Sequence, residues 1–262
     1  MPSNFSAIGF PTRTPGDFDE LIGKLLDAEN IDQCDTEKGT YLRWKQGKGD
    51  FGPEVFFQVV DNEIFSVAPF FRGKSEVSVG INGRIDVPGA SPLDTFLHAW
   101  AEPENDDPES GAYPFVFDMV SYLAYDTGDF PFFNKVGVCA IVQELEIFEN
   151  EKAYDKAREG QEMVMAVESF IPSGLFAPEP QEGEKEENQN FVPAPLAIFT
   201  GRILETEKIK NELTGHEFHW ALVRTLGGTF DVVMDPEYVY EPLKKDGIIS
   251  GSFYLIADFK QG

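Results

Sequence analysis

Only two cysteines occur in the 262 residues, Cys34 and Cys139. They cannot make a disulfide framework, and neither belongs to a Cys-x-x-Cys pair. A reducing, cytoplasmic setting follows as the expectation. Histidine is scarcer relative to need, with only His98, His216 and His219. His216 and His219 stand three apart at a strand start, which points them to opposite faces and argues against zinc. Basic residues are also short, 21 Lys and Arg against 46 Asp and Glu. So acidic a chain repels nucleic acid and anionic lipid at long range. No apolar run approaches the 18 residues of a membrane span, and the N-terminus has no basic region followed by an apolar core. A soluble intracellular protein is the expectation.

What the chain does have is phenylalanine, 24 of them, within an aromatic share of 13%. That favours strands and a sizeable core. The charge is uneven. From Phe191 onward the net is −3, against −22 before it, out of −25 in all. The acidic excess suits solubility first and a basic protein partner second.

The spacing of apolar residues predicts a mainly β, α+β protein. Thr14-Pro15-Gly16-Asp17 reads as a capped helix start, and Phe18, Leu21, Ile22, Leu25 and Leu26 form one apolar stripe, giving a helix over 15–29. Ser6 to Phe10 reads as a short strand. Beyond Thr40 the period drops to two. Tyr41–Trp44 and Val55–Val60 read as one hairpin, and Ile64–Phe71 and Val77–Ile81 as a second, joined across Arg72-Gly73-Lys74-Ser75. Asn82-Gly83 reads as a tight turn. Leu93–Ala101 fits either a short helix or a strand, and Tyr113–Leu123 and Val136–Phe148 are further strands. These make an antiparallel sheet with one packed helix, in a domain spanning 1–177. The acidic, low-complexity stretch within 178–195 reads as a linker or loop. Over 196–262, strand-like runs separated by Asn-Glu-Leu-Thr-Gly, Leu-Gly-Gly, Asp-Pro-Glu and Lys-Lys-Asp-Gly predict an OB-like β-barrel. A faint likeness between the segments entered by Val136 and by Ala197 raises a duplicated barrel motif, too short to establish a repeat.

No motif carries a recognised chemistry. Ala68–Ser75 ends in Gly-Lys-Ser like a phosphate-binding loop, but Pro69, Phe70 and Phe71 fill the loop and a strand follows, so a turn is expected. Gly-x-Ser-x-Gly is absent, and Ser250-Gly251-Ser252 reads as a close backbone approach. Cys139 sits in an apolar run and Cys34 beside two aspartates, so neither reads as a nucleophile. The loop 102–110 holds five acids without the order of an EF-hand. No catalytic residue, cofactor or metal ligand is assigned. The candidate ligand-facing residues are Arg202, Lys208, Lys210, His219, Trp220 and Arg224 on the barrel, although Phe218, Trp220 and Leu222 alternate like a core face.

Glu168–Phe176, Thr200-Gly201-Arg202, Leu213-Thr214-Gly215 and Thr225-Leu226-Gly227-Gly228 together resemble a group of uncharacterised bacterial proteins. The resemblance covers about the last 100 residues and implies a bacterial, soluble protein with no assigned activity. The function expected is non-catalytic binding of a partner in the bacterial cytoplasm. A hydrolase-type enzyme with a carboxylate-based site is the alternative, and single-stranded nucleic-acid binding through the barrel comes third.

Overall fold

The computed structural model describes residues 3–28, 30–47, 49–161, 163–177 and 191–260. Thr14 caps helix α1 (Pro15–Leu26) as its sequence requires: its hydroxyl accepts from the Asp17 N–H, and the Asp17 carboxylate accepts from the Thr14 N–H at 2.8 Å. The helix stops three residues short of the expected end; Glu29 lies outside the described residues. Ser6–Ile8 is a single 3-10 turn rather than a strand.

The rest is mainly strand. β1 (Ile31–Thr36), β2 (Gly39–Lys45), β3 (Gly52–Val60) and β4 (Glu63–Arg72) form a four-stranded antiparallel sheet in sequence order. The remaining strands are β5 (Val77–Ile85), β6 (Phe96–Ala101), β7 (Tyr113–Met119), β8 (Phe132–Phe148), β9 (Ser169–Ile171), β10 (Leu196–Lys210), β11 (Glu217–Thr225), β12 (Gly228–Met234) and β13 (Ile248–Phe259). They form one nine-stranded mixed sheet. A second helix, α2 (Glu151–Arg158), is capped by Asn150.

Two expected pairings are corrected. β4 and β5 do not form a hairpin; β5 pairs with β6 and β8, so Arg72–Ser75 is a crossover between sheets. Alternation shows that a segment is a strand, not which sheet it joins. Asn82-Gly83 is no turn either but lies within β5, where the register with β6 shifts between Ile81 and Gly83.

The large sheet has an internal order. β5, β6 and β7 pair in succession, β7 pairs in parallel with β13, β13 pairs with β8, and β8 returns to β5. In the same way β10, β11 and β12 pair in succession, β12 pairs in parallel with β8, β8 with β13, and β13 returns to β10. Two four-strand units thus repeat one pattern, and each third strand is completed by the fourth strand of the other unit. Each unit has a register shift in its first strand, at Ile81/Gly83 and at Ile203/Glu205. The sequence echoes this at Asn82-Gly83-Arg84-Ile85 and Thr200-Gly201-Arg202-Ile203, and at Phe117-Asp118-Met119-Val120 and Phe230-Asp231-Val232-Val233. The likeness between the segments entered by Val136 and by Ala197 matches a fourth strand, β8, to a first, β10.

Pairing therefore crosses the 178–195 interval through the twelve-pair ladder of β8 with β13; residues 178–190 of that interval are outside the described set. One core fills the interior of the large sheet with Phe115, Phe117, Phe170, Phe199, Phe230 and Phe253. The other lies between the large sheet, the small sheet and α1, and holds Leu21, Leu25, Trp44, Phe57 and Phe71. No described helix is long and apolar enough to cross a membrane.

Candidate functional site

The densest convergence of buried polar groups lies where β4 crosses into β5. Arg72 donates from Nε to Glu54 Oε1 at 2.8 Å and from Nη2 to Asp258 Oδ2 at 2.6 Å. The other Asp258 oxygen accepts from Ser121 Oγ at 2.8 Å, Tyr125 OH at 3.0 Å and the Phe259 N–H at 3.0 Å. Burial opposes the Arg72 charge, but the Glu54 and Asp258 carboxylates outweigh it and hold the guanidinium above its ordinary pKa.

Immediately downstream, the N–H groups of Lys74 and Ser75 donate to the two oxygens of Asp231 at 2.9 and 2.8 Å, and Trp220 Nε1 adds a third bond at 2.9 Å. Gly73 permits this approach, because a Cβ there would lie 2.2 Å from Asp231 Oδ1. Gly-Lys-Ser is thus an anion cradle after all, and the anion is the protein's own carboxylate. The expected simple turn is corrected accordingly. Burial still pushes the Asp231 carboxyl upward against the pull of the Ser75 and Trp220 hydrogen bonds.

A cleft of about 280 Å³ opens beside Asp258, lined by Cys34, Tyr41, Arg43, Phe56 and Tyr125. Its polar walls are internally occupied. Tyr41 OH donates to Leu93 O at 2.9 Å, and at the mouth Arg43 and Lys45 both pair with Asp32. Burial pushes both the Tyr41 and Tyr125 hydroxyls up to about 12. The arrangement binds one sheet to the other.

Asp118 occupies on β7 the place of Asp231 on β12. Phe117 and Phe230 face the same core, as do Met119 and Val232, while Val120 and Val233 face the other. Asp118 lacks the backbone donors of its counterpart and accepts only from Tyr254 OH, at 3.1 Å, among the described side chains. Burial, reinforced by the nearby Asp94 charge, pushes its carboxyl up to about 7. Neither aspartate was singled out from the sequence. The available signal was a carboxylate set inside an apolar strand run, occurring twice.

The six residues expected to face a ligand do not share one surface. Arg202 and Arg224 are cross-strand partners, brought together on Glu168, with Arg202 also pairing with Glu151. Lys208 pairs with Glu217 at 2.5 Å, beside the exposed Lys210. His219 is partly buried on the strand face opposite Trp220, and burial lowers its pKa. Trp220 is 2% exposed. Phe218, Trp220 and Leu222 are indeed a core row, but they lie under the small sheet; Ala221 and Val223 fill the interior of the large one. Cys139 is fully buried, which pushes its thiol far above the ordinary range. No set of three His, Cys, Asp or Glu side chains among the described residues is placed to hold a metal ion. No family model, curated protein or solved structure matches the chain.

Proposed function

We propose that this is a non-catalytic binding protein of the bacterial cytoplasm whose acidic surface engages a basic protein partner. The observation that carries the reading is how the charges are spent. Most described Lys and Arg side chains already pair with carboxylates, among them Arg13, Lys24, Arg43, Lys45, Arg72, Lys135, Arg158, Arg202, Arg224 and Lys244. A large excess of acid, −25 overall, is left for the surface. In the loop 102–110, Glu104, Asp106, Asp107 and Glu109 supply part of it. Such a field steers cationic partners and weakens with salt. We also read the two interlocked rings of pairing as OB-like barrels, each completed by a strand from the other. The test is a pull-down at low salt and at about 1 M, where the Debye length shrinks to about 3 Å. A basic partner released by salt supports the reading, and the lack of any salt-sensitive partner refutes it.

Asp118 favours a second reading, a hydrolase-type enzyme. A carboxyl with its pKa near neutrality, bonded to the Tyr254 hydroxyl, has the protonation behaviour of a general acid or base. Hydrolytic turnover that Asp118→Asn abolishes would support it.

A further inference from the structure

The repeated units carry two equivalent grooves on the outside of the large sheet. One is floored by Ser78 on β5 and Phe133, Asn134 and Lys135 on β8; the other by Ile198 on β10 and Ser250, Gly251 and Ser252 on β13. They have been furnished oppositely. The first carries Lys135, paired with Glu76, and Lys260. The second, of about 410 Å³, carries Glu144 and Glu146, and the chain after α2 builds it a wall of Met163, Val164 and Met165. At its floor β13 runs close against β8, where a Cβ at Gly251 would lie 2.0 Å from Glu144 O.

Inside this groove the two carboxylates differ. Glu146 is held by Arg158, whose guanidinium lies over Phe148 and Tyr154. Glu144 is exposed and pairs with no cation among the described residues. Opposite stand apolar side chains left to solvent: Met163 is 88%, Val164 46% and Ile198 37% exposed. Ile171, the register partner of Ile198, and Leu196 continue the apolar strip beyond the groove. An unpaired carboxylate facing a contiguous apolar wall matches one kind of side chain, a long alkyl stem ending in a cation.

We propose that this groove, bounded by Glu144, Met163, Val164, Ile198, Ser250 and Ser252, receives a lysine or arginine side chain from a basic, apolar peptide segment of the partner. The stem lies on Met163, Val164 and Ile198, and the head group meets Glu144. This rests on the basic-partner reading above and gives that reading a location. The volume lies in the range of specific ligand sites, and the charge chooses the occupant.

The test is fluorescence anisotropy of a labelled peptide of mixed Lys and Leu, against an equally long Glu and Leu peptide, on the full-length protein. The wild type binds the basic peptide and not the acidic one. Glu144→Lys weakens basic-peptide binding by about tenfold or more, the scale of one close charge pair, and Ile198→Asp, which keeps the groove acidic, weakens it through the lost apolar contact. Lys135→Glu, in the equivalent groove, leaves it within about twofold, and circular dichroism checks that each variant is folded. Undiminished binding by folded Glu144→Lys and Ile198→Asp overturns the groove while leaving the basic-partner reading standing. Absence of basic-peptide binding by the wild type overturns the groove proposal too, and salt-sensitive capture in the pull-down then decides the broader reading separately.

Discussion

Arg72→Met is the perturbation that most sharply separates a structural clamp from a decorative ion pair. The Glu54 and Asp258 side chains it neutralises are only 4% and 3% exposed. Asp258 keeps three donors when the guanidinium is removed, from Ser121, Tyr125 and its own chain neighbour. Glu54 keeps none, because Arg72 is its only side-chain partner among the described residues. A buried carboxylate stripped of its cation costs about 3–5 kcal/mol. Urea unfolding at pH 7 should show that loss with an unchanged m-value. The double variant Arg72→Met/Glu54→Met should recover at least half of the loss, because the orphaned charge is gone. A cost below about 1 kcal/mol, or a double variant as unstable as the sum of its parts, would show that Arg72 does not clamp the two sheets.

Asp231→Ala should cost about 2–6 kcal/mol in the same assay, as it orphans two buried N–H donors, of Ser75 and Trp220, at about 1–3 kcal/mol each, besides the part-buried Lys74 N–H; a loss under about 1 kcal/mol would count against the cradle. Asp118 gives a pH signature. Its folded state retains a proton that the unfolded chain has released, so stability falls as pH rises from the ordinary carboxylate range through about 7. The effect is at most roughly 4 kcal/mol, and Asp118→Asn should flatten that part of the stability profile. An unchanged slope in the variant would show that Asp118 does not titrate there. The groove variant Glu144→Lys should separate peptide affinity from stability, with the unfolding midpoint moved by less than about 0.5 kcal/mol equivalent, as for other exposed sites.

Local signals in the sequence carried far and then stopped at a definable point. Thr14, Pro15 and Asp17 announced α1 because capping is decided within four residues. The four strands from Leu196 to Phe259 were legible because turn residues bracket each apolar run. Strand partnership was not legible, since a period of two is the same in either sheet. That is why Ile64–Phe71 and Val77–Ile81 looked like one hairpin, although Arg72 and Ser75 between them serve different carboxylates in the other sheet. The repeated units escaped notice because their shared residues are two short echoes, Gly-Arg-Ile and Phe-Asp-x-Val, about 115 positions apart. Trp220 shows the same limit at the site. Its alternation marked it as buried, but nothing local could say that a second sheet covers it. The groove at Glu144 needed coordinates altogether, because its floor and walls come from β8, β10, β13 and the segment after α2.

The central claim is that the acidic surface recognises a basic partner. Titration of the wild-type protein with the Lys and Leu peptide across a salt series tests it most directly. Measurable binding is expected at low salt, weakening steadily as salt rises and lost near 1 M, where the Debye length is about 3 Å. Binding indifferent to salt would contradict it, whereas no binding at the lowest salt would overturn the groove and leave the basic-partner reading to the pull-down.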